Sequence, residues 1–564
     1  MLLAVAADRG ATPGPGGTAP GAVRVCELTD AGEPAGPVRV VPDLVALAKE
    51  QGAGPRWLWP ATSEVYPALL RAGARVERCH DVELTEALLI GYAGRWGEPK
   101  SLAAAWARLH GRPVPPDPPA AVPVPPGELQ DSLFDPAPPP PAVDGHTDTL
   151  TALIEVYRDQ QRRIAATDQP GRFRLLVAAE SAAALVAAEM GWVGLPWRVD
   201  VHDELLRELL GEPGARGAPP RRLVELTNQI AEALGGQRIH PESPAEVVRA
   251  LARVGVAVPN ARAWVLRQVE HPAVPLLLEH KELYRIWVAH GWSWRAQWVR
   301  DGRFHAEYVP GGVVTGRWAT RGGGALQIPR AVRRAVCADP GWRLVVADAG
   351  QLEPRILAAV SGDPGMTRAA GAGDMYAALA AEAFGGDRAK AKVALLGAMY
   401  GQTGGAAAPA LATLRNSYPT ALAVVEQAAR IGEGGGLVRS WLGRTCPPSG
   451  AAFQDFSEQE GVRRAGAAER ARGRFTRNFV IQATAAEWAM ALLALLRPVL
   501  PPLGAELVFF QHDEVIVHCP QPVAAAVGEH IEQAAAQARR LLFGDTPVRL
   551  PVGVHIVESY ADAK

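Results

Sequence analysis

The stretch "ELVFFQHDEVIVHCP", Glu506 to Pro520, sets His512-Asp513-Glu514 between two apolar runs rich in β-branched and aromatic residues, with no glycine or proline among the three. Runs of that kind read as strands, and the polar break reads as the turn of a hairpin. Two adjacent carboxylates amid strand sequence ask for something to hold. A second stretch, "GWRLVVADAGQLEPRILAAVSGD" at 341–363, is an apolar strand, Leu344–Ala347, that ends in Asp348 before a helical pattern starts near Leu352. If the two strands are neighbours in one sheet, Asp348 and Asp513 converge. Two such carboxylates can bridge a pair of Mg²⁺ ions that keep water and phosphate oxygens as their other ligands. Metals so placed activate an attacking oxygen and neutralise a leaving one. Taken alone, each aspartate reads equally well as a solvated turn residue.

Between these stretches lies "DRAKAKVALLGAMYGQTGG", 387–405, where Arg388, Lys392, Leu396 and Tyr400 fall every four residues and form one drifting helical stripe. Two cations one turn apart can grip a triphosphate, and the tyrosine adds a stacking face. A solvated basic face running into core is the plainer reading. In "RGRFTRNFVIQATAAEWAMALL", Arg474, Asn478 and Gln482 recur at the same spacing on an otherwise apolar helix. Such a row can read the minor-groove acceptors of a duplex, purine N3 and pyrimidine O2, or it can be an internal hydrogen-bond ladder.

The chain has 564 residues, 48% hydrophobic and 21% charged, with a formal net charge of −1. That length calls for two or more domains with sizeable cores. The charge balance excludes a globally basic protein, so a nucleic-acid site must be a local cluster of Arg and Lys. Five cysteines lie far apart without zinc-ligand spacing, which suits a reducing compartment. The start "MLLAVAADRG" lacks a basic n-region, so no signal peptide is expected. The apolar run at 175–194 carries Glu180 and Glu189, which argues against a membrane span. Residues 1–112 alternate short apolar runs with helical patterns, a small α/β domain. A proline-rich linker follows at 112–147. From 148 to 300 the pattern is mostly helical, and beyond 300 strands and helices mix in an α+β body.

In order, "TGRWAT", "DAGQLEPR", "RAKAKVALLGAMYG", "RNFVIQATAAE" and "QHDEV" resemble the motifs of family A DNA polymerases, the DNA polymerase I group. The resemblance is close from about 300 to 564 and weaker back to 171. It implies an α+β multidomain chain: a right-hand polymerase preceded by a ribonuclease H-like α/β domain of the 3′-5′ exonuclease type at 1–170. The polymerase domain would span 171–564, with thumb about 190–300, palm about 301–385 and 490–564, and fingers about 386–489. The resemblance makes Asp348 and Asp513 the metal-binding aspartates and Glu514 an accessory acid. Gln351, Glu353, Arg388, Lys392, Leu396 and Tyr400 would face the nucleotide, with Glu353 where a ribose 2′-OH would intrude. Arg317, Arg474, Asn478, Gln482 and His512 would contact primer-template. There are departures: Ala349-Gly350 replaces Tyr-Ser, Pro354 replaces Leu, Leu396 an aromatic, and Tyr376 a phosphate-contacting His. Altered kinetics or nucleotide tolerance follow from them.

The family's proofreading domain needs four carboxylates in DxE, a central Asp and YxxxD. Here the first strand offers only Asp8, the next segment only Glu64, and Gln161 stands four residues after Tyr157. Asp81 remains, at a position that is usually not a ligand. An exonuclease fold without proofreading is therefore expected, with no 5′-nuclease domain ahead of it. In the linker, "QDSLF" resembles a sliding-clamp peptide anchored by Gln130, Leu133 and Phe134, or it packs back on the protein. The reading is thus a DNA-templated DNA polymerase using two Mg²⁺ (Mn²⁺ as substitute), primer-template DNA and dNTPs. It is a cytoplasmic, nucleoid-associated monomer with no membrane contact. A bifunctional nuclease and a non-catalytic primer-template binding protein are the alternatives.

Overall fold

A computed structural model describes residues 1–7, 22–52, 54–119, 148–321, 327–401, 408–448 and 467–563. Asp8 and the 130–134 peptide lie outside them. The chain forms two compact units, one of Met1–Trp192, Tyr308–Ala319 and Val345–Ile556, the other of Val193–Glu307, Thr320–Leu344 and Val557–Lys564.

The first unit is built around a five-stranded and a four-stranded sheet. At the N-terminus, β1 (Leu2–Ala7), β2 (Val23–Leu28), β3 (Arg39–Val41), β4 (Arg56–Trp59) and β5 (Arg78–Asp81) run in the order β3-β2-β1-β4-β5. β1–β2 and β2–β3 are antiparallel, whereas β4 lies parallel to both β1 and β5. Alternation along β1 sends Leu2, Ala4 and Ala6 to one core with Trp106 and Leu153, and Leu3 and Val5 to another with Trp57 and Tyr66. The second sheet runs β7 (Glu506–Gln511), β8 (Glu514–Pro520), β6 (Trp342–Ala349), β9 (Val552–Val557), so the two strands expected to be neighbours do share a sheet.

Among the described residues, two helices, Pro170–Val193 and the long helix ending at Leu496, are long and apolar enough to cross a membrane, but both are largely buried in the protein. Their interior acids are satisfied there. Glu180 pairs with Arg444 at 2.5 Å, both almost fully buried, and Arg497 donates to Glu189 at 2.7 Å. Ser440 and the Leu442 N–H donate to Glu487, whose carboxyl desolvation raises to about 7. The long helix, Ala467–Leu496, packs on Pro419–Glu433 and Ala524–Phe543. Its Thr476 hydroxyl donates to the Ala428 carbonyl at 2.9 Å, and Gly432 leaves no room for a Cβ against that threonine.

The second unit is mainly helical, as the pattern over 148–300 predicts for its part. Arg221–Ala233, Pro244–Arg253 and Ala273–His290 share an aliphatic core. Beside it Trp197, His202, Trp294 and Phe304 form a ring cluster with centroids 4.9–6.1 Å apart.

Candidate active site

The site grows from two strand ends. β6 carries Leu344–Ala347 into the core and surfaces at Asp348, which is half-buried. β7 and β8 pair with Gln511 opposite Glu514, leaving His512-Asp513 as the hairpin turn. The Asp513 N–H donates to the Gln511 carbonyl at 2.7 Å with His512 at φ 58°, a tight turn that non-glycine residues adopt at a cost. The decisive contact is the Ala349 N–H, which donates to the Asp513 carbonyl at 3.0 Å. It sets Asp348 and Asp513 on adjacent strand ends, both half-buried. Among the described residues only Asp301, Gln351 and His512 combine a side chain with positive φ. Two of those three flank the carboxylates, at a cost of about 1–3 kcal/mol each, and such strain gathers at functional sites.

After β6, Gln351 (φ 59°) caps the helix Leu352–Ser361. Pro354 is its third residue, within the first turn, where a missing N–H breaks no helical hydrogen bond. Glu353 is held from two sides: Arg317 donates to one oxygen at 2.6 Å and the Tyr400 hydroxyl to the other at 2.6 Å. Burial, then Glu353, pushes the Tyr400 phenol well above its ordinary range, while a bond to Gln482 pulls the other way. Arg317, Gln351, Glu353, Tyr400, His512 and Asp513 line one cleft of about 240 Å³, with Leu396 and Tyr376 on its wall. At Gly350 a side chain would meet no atom within 4 Å, so space lies open there.

The helix Arg388–Tyr400 presents the expected stripe: Arg388 and Lys392 exposed, Leu396 and Tyr400 half-buried, and Ala391, Leu395 and Met399 in the core. On the long helix Arg474, Asn478 and Gln482 are half-buried; Asn478 and Gln482 stand between buried neighbours, whereas Arg474 has half-buried Phe475 beside it. Asn478 Oδ1 and His512 Nδ1 are enclosed and make no hydrogen bond among the described residues. Burial, then the Arg317 charge, hold the His512 imidazole below its ordinary value, so it is neutral at pH 7. Glu514 is buried at the start of β8 and does not line the cleft. Asp348, Arg388, Lys392, Arg474, Asn478 and Gln482 lie outside its lining as well.

Two residues had no role in the sequence reading. Asp374 accepts from Gln351 Nε2 at 2.8 Å and from Arg388 Nε at 2.7 Å. The buried guanidinium of Arg355 donates to the carbonyls of Ala370, Ala372 and Gly373 at 2.6–3.1 Å. The signal for Asp374 is a capping one, an acid directly before the helix Met375–Ala383.

Residues 218–562 match the model of DNA polymerase family A. The chain belongs to that family. A DNA polymerase I of Thermus aquaticus is 26% identical over 463 residues, covering 73% of this chain and 49% of that one. The DNA polymerase I of Deinococcus radiodurans is 24% identical over 405 residues, 64% and 39% of the two chains. A Thermus filiformis DNA polymerase I is 29% identical over 311 residues, 50% and 36%. The chain thus spans less than half the length of these relatives. In fold it resembles the polymerase domain of an M. smegmatis Pol1 solved with DNA primer-template and dNTP, with a TM-score of 0.71 at 18% identity over 99% of this chain and 95% of that one. The family A polymerase-domain fold expected from the motifs is therefore present.

In the N-terminal sheet, Asp81 caps the helix Val82–Tyr92 and accepts the Thr62 and Leu84 N–H groups at 2.7 and 2.9 Å. Buried Glu86 is bound by Arg108, Arg163 and Gln160 at 2.9–3.2 Å. Both acids are thus occupied by structure.

Proposed function

We propose that this chain is a DNA-templated DNA polymerase that adds deoxynucleotides to a primer 3′-OH. The observation that carries the reading is the Ala349–Asp513 backbone bond, which joins the two aspartate-bearing strand ends beside the cleft. Asp348 and Asp513 suit Mg²⁺: they are oxygen donors at a solvent-reached edge, and that ion takes one or two carboxylates plus substrate phosphates rather than a full protein cage. When bound there, the ions supply charge neutralisation at the α-phosphate and lower the pKa of the attacking hydroxyl. The chain's own residues do the rest. Arg388 and Lys392 bind the triphosphate, and Leu396 and Tyr400 flank the base. Glu353, pinned by Arg317 and Tyr400, fills the space a 2′-OH would need. His512, neutral at working pH, and Arg317 hold the primer end, while Asn478, Gln482 and Arg474 meet the minor groove and backbone. Glu514 supports the turn from within as the accessory acid.

The domain plan is a thumb at about 190–300, a palm at about 301–385 and 490–564, and fingers at about 386–489. The mixed order β3-β2-β1-β4-β5 supports a ribonuclease H-like, exonuclease-type fold at 1–170. The capping of Asp81 and the internal bonding of Glu86 support its lack of proofreading. The 130–134 peptide is proposed as a clamp contact.

Primer extension on a 5′-labelled primer tests this. Asp348→Asn and Asp513→Asn should each lower incorporation at least about a hundredfold, since even supporting residues of a metal site cost 10–100-fold, while duplex binding persists. Primer shortening without dNTPs that survives both changes would refute the exonuclease reading. Duplex binding without any incorporation by the unaltered chain would refute the polymerase reading.

A further inference from the structure

The two nucleotide-facing elements meet through one acid. Asp374 Oδ1 is fully used: it accepts from Gln351 Nε2 at 2.8 Å and from the Ala377 N–H at 3.1 Å, the cap of Met375–Ala383. Only Oδ2 is left for Arg388, and it takes the guanidinium by Nε at 2.7 Å. Among the described residues the two Nη nitrogens of Arg388 donate to no protein oxygen. A fork-on-fork pairing, which would consume the guanidinium, is thus prevented by what Oδ1 already holds. Two further restraints act. The Arg388 guanidinium lies 5.7 Å from the Tyr376 ring centre, within cation–π range. The segment leading to Asp374 is held by Arg355 through its Ala370, Ala372 and Gly373 carbonyls, and the Met375 N–H donates to Gln351 Oε1 at 2.9 Å.

We propose that Asp374 is the positioning residue for Arg388: it holds the guanidinium by Nε and turns the two Nη nitrogens out toward the phosphates of an incoming nucleoside triphosphate. Tyr376 then serves as the platform under Arg388, in place of a direct phosphate contact. Partial burial pushes the Asp374 carboxyl up, but the bonds from Arg388, Gln351 and the Ala377 N–H outweigh it and hold it at about 2, so the brace stays charged at any working pH. The inference rests on the polymerase reading of the cleft.

Asp374→Asn is the informative change. Its carbonyl keeps the cap and the Gln351 bond, and its amide opposes donor to donor at Arg388 Nε. Single-nucleotide incorporation with Mg²⁺ should show KM for dNTP raised roughly ten- to a hundredfold, the loss of one charge-assisted hydrogen bond, with kcat changed far less. Because Asp374 acts through Arg388, adding Asp374→Asn to Arg388→Ala should worsen KM no further. An unchanged or lowered KM in Asp374→Asn overturns the proposal, as does a fully additive double variant, which would mark a general structural role. If Asp374→Asn does not fold, Arg388→Lys decides. One ammonium cannot serve both acid and phosphate, so its KM should match Arg388→Ala, and a wild-type KM refutes the fork. Absence of incorporation by the unaltered chain would instead sink the parent reading. Normal incorporation with an unmoved Asp374→Asn sinks this one alone.

Discussion

His202 and His290 should make the second unit the first to lose stability as pH falls. Both imidazoles are fully buried among Trp197, Trp294 and Phe304. Trp197 Nε1 donates to His202 Nδ1 at 3.2 Å, which makes that nitrogen an acceptor, and neither ring nitrogen of His290 has a hydrogen-bond partner among the described residues. Desolvation lowers both from 6.5 to about 4; a bond to the His290 backbone and the Asp203 charge oppose it at His202 while Arg295 adds to it, and the His202 and Arg285 charges add to it at His290. A folded-state value below the unfolded one means stability is full above pH 6.5, falls as pH drops, and stops falling below about 4. At ~1.36 kcal/mol per pH unit, a shift of that size is worth about 3 kcal/mol for a ring. Because the His202 charge is part of what lowers His290, the two losses overlap, and together they remove about 3–6 kcal/mol, a large share of a domain's stability. In the first unit the terms offset: His80 is lowered to about 4, while Asp81 is raised to about 6 and Glu487 to about 7. His290→Phe should be near-neutral at pH 7, because no hydrogen bond is lost, and should recover about half of the acid loss. Urea unfolding at pH 7 and pH 4.5, followed by tryptophan fluorescence and by hydrogen exchange resolved to each unit, checks this. Equal acid loss in both proteins, or exchange that opens the first unit first, would refute the reasoning.

Other outcomes follow from single contacts. Arg444→Met leaves Glu180 buried without its cation and should cost about 3–5 kcal/mol, whereas the Glu180→Met, Arg444→Met double variant should recover most of it in thermal unfolding. Tyr400→Phe deletes the hydroxyl that donates to Glu353 and should cost about 1–3 kcal/mol of urea-unfolding stability; no loss would mean that the Glu353–Tyr400 bond is not formed in solution. Gly432→Ala has no room against Thr476 and should lower thermal stability by at least about 1–3 kcal/mol, measured by calorimetry.

Much of the site was readable in the chain because its signals are local. A strand ending in Asp348, a hairpin centred on His512-Asp513 and two helical stripes with four-residue spacing follow from side-chain period alone, and each appears where the pattern puts it. Asp374 and Arg355 were not readable in the same way. The capping acid looks like any other N-cap, and a guanidinium that binds backbone carbonyls leaves no pattern in side-chain chemistry. Glu514 shows the limit from the other side. It is adjacent to Asp513 in sequence, yet it opens β8, a strand buried along nearly its whole length, and stays out of the cleft lining.

The sequence by itself determined which elements exist and which polar residues they carry, since hydrophobic period and turn chemistry act over a few residues. Only the tertiary structure decided which of them meet. The Ala349 N–H reaching the Asp513 carbonyl joins residues 164 positions apart, and Arg317, Glu353 and Tyr400 gather from three separate segments. Those contacts depend on sheet order and helix packing, which are set by the burial of whole faces and not by any one stretch of chain.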